Sequence, residues 1–267
     1  MEYEHLLLEK REDGVAIITL NQPEKLNALS RGMSQSLVLV TDELGKDDNV
    51  RVVIVTGAGR GFCSGADVSM MAGAGSSGAT ERPPRYQRLQ LTGAIYDVFP
   101  KLEKPVIAAI NGACAGAGYS LALSCDIRIA SENARFVVAQ VARALIPDYG
   151  LSYYLPNAVG MSKALELMYT AEPIGADEAA RIGLVSKVVP LDDLMNTTNE
   201  LASKIAAQPP MSVEFTKRMV WQSRFDELLR MVSLESWGMR MLSGSEDQRA
   251  SVEAFMKKEP PPKYKGW

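Results

Sequence analysis

The sequence predicts an α/β core followed by a C-terminal part built from helices alone. Three observations carry this. Nearly continuous apolar, β-branched runs such as "VRVVIVTG" (50–57) suit strands buried on both faces. Between such runs lie segments of helical spacing, beginning with Met33, Leu37, Val40 and Leu44 after Ser30. Beyond Pro190 the strand pattern stops and only helical texture remains.

Taken in order, "GVAIITL" (14–20) reads as a strand that meets a turn at Asn21–Pro23. "KPVIAAING" (104–112) and "CDIRIAS" (125–131) read as two more, with "YSLALS" (119–124) as a short apolar helix between them. Residues 72–85, "AGAGSSGATERPPR", have the composition of an exposed, mobile loop. A helical pattern with Tyr86, Leu89, Tyr96 and Phe99 follows it. Residues 163–170 and 176–182 read as short helices, and "GLVSKVVP" (183–190) as a strand. Pro210 suits a helix first turn, Phe215 and Met219 share a face, and Ser245 with Gln248 forms a capping box. This organisation divides into a core over 1–195 and a helical region over 196–267.

Composition removes several classes of function. The chain of 267 residues has 29 basic and 32 acidic residues, without the basic excess of a nucleic-acid binder. No apolar run is long enough to span a membrane, and the charged N-terminus resembles neither a signal nor a transit peptide, so a cytoplasmic protein is expected. Cys63, Cys114 and Cys125 lack disulfide or zinc spacing and read as buried thiols. His5 is the single histidine, which rules out metal sites built on several histidines and leaves a nucleophile–histidine site only that residue. The expected chemistry therefore rests on carboxylates and backbone dipoles, with no metal.

Two glycine-rich turns follow buried strands. "TGAGRGFCSGAD" (56–67) has Gly57 and Gly59 but Phe62 where a dinucleotide fingerprint needs its third glycine, and it lacks the Gly-Lys-Ser/Thr of a phosphate loop. "GACAGAG" (112–118) is small throughout, as close packing would also require. Two such turns can each present a backbone N–H, and two N–H groups converging on one point make an oxyanion hole.

At these turns the chain resembles the crotonase superfamily, the enoyl-CoA hydratase/isomerase family. The resemblance spans "NQPEKLNALS" (21–30), the two turns with their strands, "IPDYG" (146–150), "GADEAARIGLVSKVV" (175–189) and "AFMKKEPPPKYKG" (254–266). It implies a repeated ββα spiral with a helical C-terminal trimerisation region, acting as a homotrimer or hexamer on an acyl-CoA thioester of fatty acid metabolism. Coenzyme A would enter as part of the substrate, with no separate cofactor. The oxyanion donors would be the N–H groups of Ala66 and Ala117. Lys25, Ala28, Ser64 and Asp67 would lie along the CoA, and Tyr264 and Lys265 would reach the CoA of a neighbouring subunit. A solvated lysine and a disordered basic tail are the plain alternatives for Lys25 and for the tail.

Where hydratases of this family place two glutamates, this chain has Ser120 and Gln140. Neither can cycle a proton near neutral pH. Asp148, in "IPDYG", matches the single carboxylate of isomerase members, although Pro-Asp-x-Gly is also a good turn sequence. The expectation is an enoyl-CoA isomerase using Asp148, Ala66 and Ala117. The alternatives are a hydratase assisted by Asp67 or Glu103 and a non-catalytic acyl-CoA binding protein. Asp126 and Arg128, two apart on a strand, are expected to form a structural ion pair.

Overall fold

The computed structural model describes residues 3–67 and 95–266. The expected loop at 72–85, and Tyr86 and Leu89 of the pattern after it, lie outside the described residues; Tyr96 and Phe99 are buried.

Six strands form the main sheet: β1 (Leu6–Lys10), β2 (Val15–Leu20), β3 (Val52–Gly57), β5 (Val106–Ile110), β7 (Ile127–Ser131) and β10 (Lys187–Val189), in the order β1-β2-β3-β5-β7-β10. Only β1 runs antiparallel to its neighbour. A second sheet, β4-β6-β8-β9, is built from β4 (Gly61–Cys63), β6 (Ala113–Ala115), β8 (Arg135–Val137) and β9 (Ile174–Gly175). The repeat is plain: β3, β5 and β7 of the first sheet lead directly into β4, β6 and β8 of the second.

The β-branched runs are explained by burial on both faces. Along β3, Val53 and Val55 face the larger core with Met33 and Leu37 of α1 (Arg31–Gly45). Val52 and Ile54, on the alternate face, join Ile107 and Ile129 against Leu194 and Ala202. The Ser30 hydroxyl caps α1 by accepting the Met33 N–H at 3.1 Å. All three cysteines are free and buried.

After the short helix α2 (Val98–Lys101) come α3 (Ala117–Ser124), α4 (Leu151–Val159), α5 (Met161–Thr170) and α6 (Ala176–Arg181). The helix-only stretch comprises α7 (Leu194–Ala206), α8 (Pro210–Gln222), α9 (Phe225–Leu242) and α10 (Glu246–Lys257). The expected division after residue 195 falls inside α7, whose apolar side covers one face of the main sheet. At α10 the Ser245 hydroxyl accepts from the Gln248 N–H as a capping box requires, while the Gln248 side chain accepts from Gly244. Among the described residues no helix is long and apolar enough to cross a membrane.

One expected contact is corrected. Asp126 pairs with Lys217 of α8 at 2.8 Å, and its carboxylate also accepts from Val106 N–H and Trp221 Nε1. Arg128 instead donates to the carbonyls of Leu184 and Cys125. The strand spacing puts the two residues on one side, but the carboxylate is taken by buried Lys217, whose other acceptors among the described residues are the Phe99 and Lys104 carbonyls.

Candidate active site

The register of the two sheets brings the glycine-rich turns together. β3 pairs with β5, and β4 pairs with β6 through Gly61–Ala113 and Cys63–Cys114. The segments that follow β4 and β6 therefore run side by side. A Cβ on Gly118 would sit 2.3 Å from the Cys63 carbonyl oxygen, and one on Gly112 would sit 2.1 Å from that of Arg60. Close packing is thus one reason for the small residues.

The second reason is the conformation of the backbone. Gly65 (φ +101°) and Gly116 (φ +51°) each precede one of the expected donors in a conformation that L side chains rarely adopt. A Cβ on Gly65 would lie 3.3 Å from the Ala117 nitrogen, so the turn carrying Ala66 touches the turn carrying Ala117. Ala117 is the first residue of α3, and its N–H has no acceptor within its own helix. Ala66 is held by a bridge to Leu29, flanked by Leu29 N–H to Gly65 at 2.7 Å and Asp67 N–H to Leu29 at 3.3 Å.

Buried amides brace the first turn. Asn111 Nδ2 donates to the carbonyls of Gly57, Gly59 and Gly61, and Asn27 Nδ2 donates to those of Ala58 and Gly61. Asn27 Oδ1 accepts the Gln22 N–H at 2.8 Å. The glycines of "TGAGRG" thus form a braced structural turn. Asn27→Ala would orphan the Gln22 N–H and the Ala58 carbonyl at about 1–3 kcal/mol each, while Gly61 keeps its bond from Asn111. We expect it to lower unfolding free energy by about 3 kcal/mol, read by urea denaturation; a loss under about 1 kcal/mol would contradict this bracing role.

Ser120, Gln140 and Asp148 meet beside Ala117. Ser120 Oγ donates to the main-chain carbonyl of Asp148 at 3.2 Å, and Gln140 Nε2 donates to Asp148 Oδ1 at 3.1 Å. The Gln140 amide also lies about 3.8 Å from where a Gly116 Cβ would be, next to Ala117. Burial pushes the Asp148 carboxyl up to about 6, Gln140 opposes the shift, and the Glu235 carboxylate adds to it. Tyr149, pushed up to about 12 by burial and by Asp148, stays protonated. Gln140→Leu removes the opposing hydrogen bond. The carboxyl should then titrate above about 6 in carbon-13 NMR, and an unmoved titration would contradict the contact.

The residues expected along the CoA form a second group. Lys25 Nζ pairs with Asp67 at 2.9 Å, Ser64 Oγ donates to the Lys25 carbonyl at 3.0 Å, and the Ala28 N–H bonds to the same carbonyl at 3.2 Å. Lys25 is thus held by a carboxylate while its side chain stays half exposed. Tyr264 and Lys265 lie elsewhere, folded onto their own chain. Tyr264 donates to the Ala142 carbonyl at 3.0 Å, and Lys265 Nζ pairs with Glu246 at 3.1 Å. Glu103 pairs with Arg218 and is exposed.

Sequence reasoning missed Glu235 of α9. Its buried carboxylate accepts the N–H groups of Gly150 and Ser152 at 2.8 and 3.1 Å, and the Ser152 hydroxyl. Nothing in a helical run such as "LESWG" marks this glutamate as inward-facing.

Strands alternating between two sheets, with two touching glycine turns beside a raised carboxyl, define a protein of the crotonase class. The sequence profile of the family described as "Enoyl-CoA hydratase/isomerase" matches residues 10–266, and the chain belongs to that family. It is 39% identical, over 97% of each chain, to a short-chain-enoyl-CoA hydratase of Clostridium acetobutylicum. Its fold superposes with TM-score 0.85 on an enoyl-CoA hydratase/isomerase from Pseudoalteromonas atlantica T6c, at 28% identity over 98% of this chain and 100% of that one. A monofunctional enoyl CoA isomerase from M. smegmatis is 40% identical, over 82% of this chain and 93% of that one, with TM-score 0.68.

Proposed function

We propose that this enzyme moves a double bond along the acyl chain of an enoyl-CoA. One observation carries the reading: Gln140 donates to the Asp148 carboxylate and Ser120 to the Asp148 main-chain carbonyl, and these two residues match the family positions at which a water-adding site has its acid and base. Water addition needs a group to take a proton from water and another to deliver one to carbon. A double-bond shift needs only one carrier. Asp148 takes a proton from one carbon beside the double bond and returns it to another. Meanwhile the thioester oxygen, carrying the negative charge of the dienolate, is bound by the N–H groups of Ala66 and Ala117. The transfer balances with these groups and calls for no further cofactor. Lys25, Ala28, Ser64 and Asp67 would bind the CoA portion.

A hydratase is the second reading, favoured by the names of relatives such as the Clostridium enzyme. The two separate when purified protein is offered a 3-enoyl-CoA and, separately, a 2-enoyl-CoA. Interconversion of the isomers without 3-hydroxyacyl-CoA supports isomerisation; rapid hydration overturns it. Binding without turnover of either would assign an acyl-CoA binding protein.

A homotrimer, or a hexamer of two trimers, is part of this proposal. Exposed Met211, Phe215, Met219, Trp237, Met241 and Phe255 on the C-terminal helices support burial between subunits. Light scattering on the eluted protein tests it, and a monomer would count against it.

A further inference from the structure

We propose that Glu235 is a positioning residue for Asp148: from the long helix α9 it grips the turn that carries the proton carrier and faces that carrier with a second negative charge. This rests on the reading of Asp148 as proton carrier.

The turn needs gripping. Tyr149 (φ +58°) and Gly150 (φ +79°) are consecutive left-handed residues, and the first of them carries a side chain. Immediately after them, α4 begins with N–H groups that its own helix cannot satisfy. Local side chains do not cap it. The acceptor comes instead from a helix about 85 residues later in the chain: the Glu235 oxygens take the Gly150 and Ser152 N–H groups and the Ser152 hydroxyl.

One face of α9 is fitted to this segment along its length. A Cβ on Gly238 would lie 2.6 Å from Ile146 Cδ1, so α9 lies tight against Ile146 one turn from Glu235. Leu228, two turns before Glu235, comes within 3.2 Å of a Cβ position on Gly150. Residues 146–152 thus rest on Leu228, Glu235 and Gly238.

A buried carboxylate is a costly cap. The helix N-terminus and three donors offset that cost, yet burial still holds the Glu235 carboxyl above its ordinary value. The charge acts on Asp148, whose surroundings are Gln140 as donor, the neighbouring neutral Tyr149 and Glu235 itself. Tyr154, which also feels Glu235, is held neutral by burial. Glu235 therefore does two separable things: it fixes where the carboxyl of Asp148 stands, and it favours the protonated form of that carboxyl.

Two variants separate them. Glu235→Asp keeps the charge but withdraws the oxygens from Gly150 and Ser152. With an enoyl-CoA substrate kcat should fall about 10- to 100-fold at unchanged KM, as misplacement of a catalytic group predicts. Glu235→Gln keeps the reach and drops the charge. The Asp148 carboxyl, followed by carbon-13 NMR in the whole protein, should then titrate at lower pH, and the acid limb of kcat should move with it. A merely structural glutamate would change the folded fraction and leave titration and KM-against-kcat balance as they are. Wild-type kcat in Glu235→Asp together with wild-type titration in Glu235→Gln overturns the proposal. Should Glu235→Gln not fold, the kcat and KM of Glu235→Asp decide alone. The titration is read without turnover, so failure of the proton-carrier reading, seen as full activity in Asp148→Asn, is distinguishable from failure of this one.

Discussion

Asp148→Asn is expected to lower isomerisation at least about 100-fold while leaving CoA-ester binding unchanged. Asparagine keeps the shape and can still meet Gln140, but it carries no proton between carbons. The same substitution should stabilise the protein. In the fold the Asp148 carboxyl is pushed from 3.8 up to about 6. The fold thus favours the protonated acid. Its stability on this account is highest below about pH 4 and declines as pH rises through about 6, by up to about 3 kcal/mol. Asparagine, always neutral, escapes that loss. The variant should melt above the wild type at pH 7.5, and the gap should close near pH 4. Activity runs the opposite way, since the base must be ionised: wild-type turnover should fall as pH drops below about 6. Full turnover in Asp148→Asn would remove Asp148 from the reaction, and an equal melting temperature at pH 7.5 would remove the burial argument.

Gly65→Ala is expected to cost about 100- to 1,000-fold in kcat, the range for losing an oxyanion donor. At φ +101° an alanine is strained, and its Cβ would stand 2.9 Å from the Ala115 carbonyl oxygen and 3.3 Å from the Ala117 nitrogen. One methyl group therefore disturbs both turns, moving Ala66 by the backbone and Ala117 by contact. The loss should fall on kcat more than on KM, because the bonds to the oxyanion strengthen as charge develops. Crotonase-type activity within tenfold of wild type in a folded Gly65→Ala protein would contradict a backbone oxyanion hole at this place.

Much of the candidate site's local make-up was legible in the sequence because it depends on local requirements. Glycine in each turn, small residues where backbones touch, and the absence of carboxylates at Ser120 and Gln140 can all be read without coordinates. The inner strands of the main sheet were legible for the same reason, since burial on both faces leaves an unbroken apolar run; β1, buried only at Leu6, was not read as a strand. The second sheet was not legible either, since β4, β6 and β8 have three residues each, too few for a period of two to show. Long-range pairing was the other blind spot. Strand spacing placed Asp126 beside Arg128, but the carboxylate is taken by Lys217 from a distant helix. Lys25, expected along the CoA, pairs across 42 residues with Asp67, a pairing the sequence does not show. Glu235 looks like any helix glutamate until the fold buries it against the Asp148 turn.

The central claim is that one carboxylate moves a proton and no water enters the product. The most direct measurement is mass spectrometry of the products formed from a 3-enoyl-CoA in water enriched in oxygen-18. The account predicts a 2-enoyl-CoA of unchanged mass, formed by the wild type and nearly lost with Asp148→Asn. A 3-hydroxyacyl-CoA carrying the heavy oxygen as the main early product would contradict it.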